Sequence, residues 1–222
     1  MAGALLNKTP PSVTASEATL ASTGFLLAFD VYGRANDISR AVSAELRAPV
    51  KAQRGVPSQW TLTLFPSDQS SESKTRTQDD TAAIGATHPQ RRWLTRFCRP
   101  LLRHDPSDSR LLSMTPARYK ELFRLARALA NLGPSSAHRL RHGGASADAL
   151  LTGRDAVTDL TLASRGRWSA LSSVRRYRQP AQYLKQLQKL SRAQLSEAEQ
   201  LQRTLPSQLA ARLEPRHRKR QR

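Results

Sequence analysis

Between Ser164 and Gln179 lie five arginines, Arg165, Arg167, Arg175, Arg176 and Arg178, and no acid. Upstream, His138-Arg139-Leu140-Arg141-His142 packs two imidazoles and two guanidinium groups into five residues. Cations this dense, with no acid beside them in the chain, create a positive potential in which an anion should sit. The planar fork of N–H donors on arginine suits phosphate better than the point charge of lysine. Tyr177 stands inside this field, nine residues after Trp168. A phenol ordinarily ionises near about pH 10 and becomes a better nucleophile wherever positive charge favours phenolate. Attack on a phosphodiester builds charge on its non-bridging oxygens, and two arginines with a histidine and an indole N–H can stabilise that charge in place of a metal. His138 and His142, four apart, have a zinc-binding spacing for a helix, but no third ligand stands nearby, so neither metal nor cofactor is expected.

The elements around these residues read as follows. Residues 1–15 carry Pro10, Pro11 and several Ser and Thr without periodicity and are expected to be a disordered lead. Ser16 is a candidate N-cap for a buried helix through Leu20, Phe25, Leu26 and Phe29, ending near Gly33, and a short helix follows over 36–41. Alternation then predicts strands over 42–50 and 60–65, and a third over 81–86, with Lys74 in the long hairpin loop between the last two. Helical signals return over 89–103 and 115–132, the second opened by Thr115-Pro116 and stopped by Gly133-Pro134. Short helices fit 144–151, 155–163 and 172–178, and a longer one fits 181–203. The expected domain is therefore 16–203, an α+β, mostly helical unit with a small antiparallel sheet. Residues 204–222 are expected to be a basic tail, its last eight, 215–222, solvated.

Composition narrows the partners. The 222 residues hold 36 Lys plus Arg against 17 Asp plus Glu, a formal charge of +19, and residues 160–222 carry 15 of the cations against three acids. A chain this basic seeks a polyanion. The longest apolar run, Gly24 to Val31, is interrupted by Asp30 and falls short of the roughly 18 residues of a membrane span, so no membrane partner is expected. Cys98 is the single cysteine, which excludes an internal disulfide or a multi-cysteine zinc site and suits a reducing, intracellular compartment.

The series His138-x-x-Arg141, then Gly166-Arg167-Trp168, then Tyr177 resembles the carboxy-terminal signature of the tyrosine recombinases, the phage integrase family, which carries H-x-x-R, then G-H or G-W, then a tyrosine nine residues on. The G-R-W form is most similar to the branch found in eukaryotic mobile elements of the DIRS and crypton kinds. The resemblance spans roughly 16–188. It implies the DNA breaking-rejoining fold and site-specific strand exchange on double-stranded DNA, performed by a homo-oligomer assembled on the DNA. It also implies a role for each residue. Tyr177 forms a 3′-phosphotyrosine; Arg34, His138, Arg141 and Trp168 hold the phosphate; Lys74, on its hairpin, protonates the 5′-oxygen leaving group. Asp37 stands where the family has a carboxylate bracing the first arginine. Arg139, Arg165, Arg167, Arg175, Arg176 and Arg178 are expected to steer the DNA backbone. The helix over 181–203 is expected either to pack on its own domain or to dock on a neighbouring protomer.

The family clamps DNA between this domain and a preceding helical one, so the 33 residues before Arg34 suit a truncated element product, a catalytic fragment or a single-domain variant. Localisation is expected to be nuclear in a eukaryotic cell, and cytoplasmic or nucleoid otherwise. Rival readings are a type IB topoisomerase, which relaxes supercoils with similar residues, an element-derived protein that binds DNA without cutting it, and an RNA-binding protein. The last is disfavoured by an aromatic content of 5%, which leaves few stacking platforms.

Overall fold

The computed structural model describes residues 1–49, 59–64, 81–86, 89–104, 110–151 and 156–213. Ten helices frame a small sheet among these residues: α1 (Ala2–Asn7), α2 (Ala15–Asp30), α3 (Ala35–Arg40), β1 (Leu46–Arg47), β2 (Thr61–Thr63), β3 (Thr81–Ala83), α4 (Cys98–His104), α5 (Pro116–Leu129), α6 (Arg139–Asp148), α7 (Asp159–Gly166), α8 (Leu171–Tyr177), α9 (Pro180–Leu187) and α10 (Arg192–Leu213). The strands form an open antiparallel sheet in the order β1-β2-β3, with Leu62 paired to Leu46 on one side and Ala82 on the other. The fold class is thus α+β and mostly helical. No described helix is long and apolar enough to cross a membrane.

The central element is α2. Its small and apolar residues, from Ala18 to Ala28, are buried on nearly every side, as expected of a helix that is apolar all round. It packs against α1, α3, α5, α6 and α10. Its start is a capping box at Thr14, whose hydroxyl accepts from the Glu17 N–H at 3.1 Å while the Glu17 carboxylate accepts from the Thr14 N–H at 2.9 Å, so the N-cap is Thr14 rather than Ser16.

Several expectations are corrected. The first fifteen residues contain α1, which buries Ala2, Leu5 and Leu6 in the main core; the lead is a structural element, because the whole apolar run from Ala2 to Leu6 is buried. The tail is likewise helix as far as Leu213, with Leu205, Leu209 and Leu213 buried. The single helix over 181–203 is broken into α9 and α10. Of these, α10 packs on α2 and α4, and Lys8 meets Glu197 at 3.3 Å. The buried Leu205, Leu209 and Leu213 place the end of α10 in the domain's own core, whereas Leu184 and Leu187 of α9 are exposed. The first strand is shorter than its alternating pattern, because residues 43–45 form a 3-10 turn, and the third ends at Ala83. The 89–103 segment is 3-10 as far as Phe97 before becoming α4. Thr115 caps α5 as expected, but the helix ends at Leu129, with Asn131 in the left-handed region at φ 50°.

A second, smaller core lies under α6, α7 and α8, made of Tyr32, Ala145, Leu162, Ala163, Trp168 and Val174, with Tyr177 packed against it. Gly144 lets α6 close on α2: a Cβ there would lie 2.0 Å from the Phe29 carbonyl oxygen. The chemistry-bearing residues sit on this second core.

Candidate functional site

The His138-x-x-Arg141 segment opens α6, with His138 as its N-cap residue and Arg141 in the first turn. Arg141 is fully buried. Its Nη1 donates to the Tyr32 carbonyl and its Nη2 to the Gly166 carbonyl at 2.6 Å, which ties α6 to the ends of α2 and α7. The guanidinium carbon lies 4.9 Å from the Trp168 ring centre and 5.1 Å from that of Tyr177. Burial, with Arg167 and Arg34 nearby, pulls the Arg141 pKa down to about 10, still charged at neutral pH.

Trp168 arrives by a sharp turn after α7. Arg167 is left-handed at φ 53°, the Trp168 N–H donates to the Ala163 carbonyl at 2.9 Å, and the indole folds back over Gly166. A Cβ on Gly166 would meet that ring at 2.5 Å, which gives the glycine of Gly-Arg-Trp a steric reason. Trp168 stacks on Tyr177 with ring centres 4.8 Å apart and planes 14° apart, and Tyr32 stacks on Trp168 at 5.9 Å. Tyr177 is the last residue of α8. Its backbone is held by Ser146, whose hydroxyl donates to the Tyr177 carbonyl at 3.2 Å and accepts from the Gln179 N–H at 3.0 Å.

Two imidazoles complete the surround, His142 with its ring centre 4.5 Å from Tyr177 and His138 at 5.6 Å. Burial and the neighbouring cations lower both pKa values, His142 to about 4, so both rings are neutral at pH 7 and able to accept a proton. Arg34 N-caps α3; Asp37 accepts its main-chain N–H at 3.1 Å and lies 3.9 Å from its Nη1, the bracing contact expected from the sequence. Arg34 is close enough to Arg141 and His138 for its charge to depress both their pKa values. Three buried nitrogens in this cluster, Arg141 Nε, Trp168 Nε1 and His142 Nδ1, have no hydrogen-bond partner. Lys74, the expected proton donor, lies outside the described residues.

The flanking arginines divide. Arg139, Arg175 and Arg176 are exposed, and Arg178 is exposed but paired with Asp159 at 2.5 Å. Arg165 and Arg167 are corrected, since both turn inward. Arg165 meets Asp30 at 3.1 Å and donates to the carbonyls of Asp30 and Ala83, while Arg167 donates to the Val31 carbonyl at 3.2 Å. Arg165 belongs to a buried quartet with Asp30, Asp148 and Arg91, two acids against two bases. The Tyr32 hydroxyl donates to Asp148, so the quartet braces the tyrosine on which Trp168 rests.

Sequence reading missed a further feature. A groove of about 1220 Å³ runs between α3, α5 and the segment entering α6, and it is lined by Arg34, Arg40, Lys120, Arg124, Arg127 and His138 among others. Lys120, Arg124 and Arg127 stand at i, i+4 and i+7 of α5, a cationic stripe legible in the sequence. Comparison with family models, curated proteins and solved structures gave no match to this chain, so the resemblance to the recombinases rests on the motifs alone.

Proposed function

We propose that the protein is a tyrosine-type DNA strand transferase of recombinase kind, with the DNA breaking-rejoining fold, acting on double-stranded DNA as an assembly of several copies. The observation that carries this reading is the convergence on the Tyr177 ring of Arg141, Trp168, His138 and His142, with Arg141 Nε and Trp168 Nε1 buried and unpartnered beside it. A buried N–H without an acceptor typically costs about 1–3 kcal/mol, and an oxyanion is the acceptor these donors suit.

In this reading Tyr177 Oη bonds to phosphorus as the P–O5′ bond breaks. A neutral imidazole takes the phenol proton, and Lys74 gives one to the departing 5′-oxygen. Arg141, Arg34 and Trp168 stabilise the charge on the non-bridging oxygens. The resulting 3′-phosphotyrosine conserves the bond energy, and a 5′-hydroxyl reverses the step with no added energy source. Burial pushes up the pKa values of Tyr32 and Tyr183, which disfavours either as the phenolate nucleophile, and the Tyr32 hydroxyl already donates to Asp148. Trapping on a nicked suicide substrate tests the reading: the natural chain forms a covalent DNA adduct and Tyr177→Phe does not. A wild-type chain that binds duplex DNA yet forms no adduct overturns it.

One observation favours a second reading, DNA binding without cleavage. The Nη atoms of Arg141 are engaged by backbone carbonyls of Tyr32 and Gly166, a structural duty that would persist in a protein that had lost its chemistry.

A further inference from the structure

The groove between α3 and α5 differs from the arginines around Trp168 in how its charge is met. Among the described residues, none of Arg40, Lys120, Arg124 and Arg127 makes an ion pair. The two acids in the lining are already engaged, Asp37 with Arg34 and Glu121 with Arg118 at 2.9 Å. Arg127 Nε is buried without a hydrogen-bond partner. Small and apolar residues such as Ala117 and Ala137 line the groove between the cations. Such a groove concentrates positive potential over a surface that offers no neutralising partner of its own.

The lining also says which polyanion fits. The one Phe, Tyr or Trp in its lining among the described residues, Phe123, is 2% exposed and cannot serve as a stacking platform. Single-stranded nucleic acid draws much of its affinity from such platforms, whereas a duplex presents mainly phosphates. At one end His138 belongs both to the groove and to the ring cluster around Tyr177.

We infer that this groove seats the phosphate backbone of duplex DNA and leads it to Tyr177, with Lys120, Arg124 and Arg127 as the contacting cations. The direction of approach rests on the strand-transfer reading above. The charge argument does not.

The test is duplex affinity as a function of salt, for the full chain and for Lys120→Gln/Arg124→Gln/Arg127→Gln. Each phosphate contact contributes about −0.9 to the slope of log K against log salt, so losing three flattens it by roughly 3 and weakens binding about 100-fold near ~0.15 M salt. Arg96→Gln/Arg99→Gln/Arg103→Gln removes the same charge from exposed positions outside the groove and is expected to leave the slope nearly unchanged. An unchanged slope in the groove variant, an equal loss in the control, or tighter binding of single strand than duplex each overturns the inference. If the triple variant loses its cooperative thermal transition, Lys120→Gln and Arg124→Gln, both at exposed positions, are measured singly, and each must flatten the slope by about 0.9. Adduct formation is read separately. An adduct with an unchanged groove slope refutes only the groove, and a flattened slope without an adduct refutes only strand transfer.

Discussion

Arg165→Met separates a buried brace from a DNA contact. The substitution keeps most of the side chain's length and removes its charge, leaving Asp30 and Asp148 facing Arg91 alone in a region where both acids are fully buried. Breaking one partner out of a buried ion pair costs about 3–5 kcal/mol, because the remaining charge is stranded rather than rehydrated. In a domain of this length each kcal/mol lowers Tm by about 2–4 °C, so the expected fall is about 6–20 °C. Adding Asp30→Asn restores the balance of one acid to one base, and the two losses should fall short of additive by about 1–3 kcal/mol. The assay is thermal unfolding of the single and double variants, with the salt slope for duplex DNA measured on the same samples. If Arg165→Met moves Tm by less than about 2 °C while flattening the slope by about 1, the guanidinium meets phosphate and the quartet is wrongly assigned.

Ending the chain after Ser191 removes Leu205, Leu209 and Leu213, each contributing about 1.5–3 kcal/mol of burial; the total of about 5–9 kcal/mol rivals the whole stability of a typical domain. The truncated chain should lose its cooperative unfolding transition, and a sharp transition retained by it would show α10 to be dispensable. The histidines make stability depend on pH. The His142 pKa of about 4 lies below the ordinary value of about 6.5, so the unfolded chain binds more protons between those limits, and stability is full above about 6.5 and falls as pH drops towards 4. Tm measured from pH 7.5 to 4.5 should fall less in His142→Gln than in the natural chain, and parallel profiles would show that His142 titrates normally.

The cluster around Tyr177 was legible because most of it comes from one stretch, His138 to Tyr177, where spacing along the chain carries the geometry. Arg34 was legible through its place at the end of a buried helix, and Asp37 through its separation of one helical turn. Arg165 and Arg167 were misread for the complementary reason. Their partners Asp30, Asp148 and the Val31 carbonyl lie far off in sequence, so a segment without acids looked uncompensated when the fold compensates it. Tyr32 and Ser146 carry no sequence signal, since a tyrosine that stacks on Trp168 and a serine that holds the end of α8 look like any others. The lead was underestimated because its apolar run, Met1 to Leu6, is too short to show a period, and the tail because its leucines stand among polar residues; both reach a core only by packing on the rest of the domain. A signal did exist there: Leu201, Leu205, Leu209 and Leu213 recur every four residues, across Pro206 and through the polar composition that suggested a tail.

The most direct measurement of the central claim is the identity of the residue joined to DNA. The full chain is incubated with a nicked suicide duplex, the protein–DNA adduct is isolated and digested, and the modified peptide is sequenced by mass spectrometry. A 3′-phosphotyrosine on Tyr177, formed without added metal or nucleotide, is the predicted result. Attachment at Tyr183 or at any other residue, or a protein that binds the duplex with the expected salt slope and yields no adduct, contradicts it.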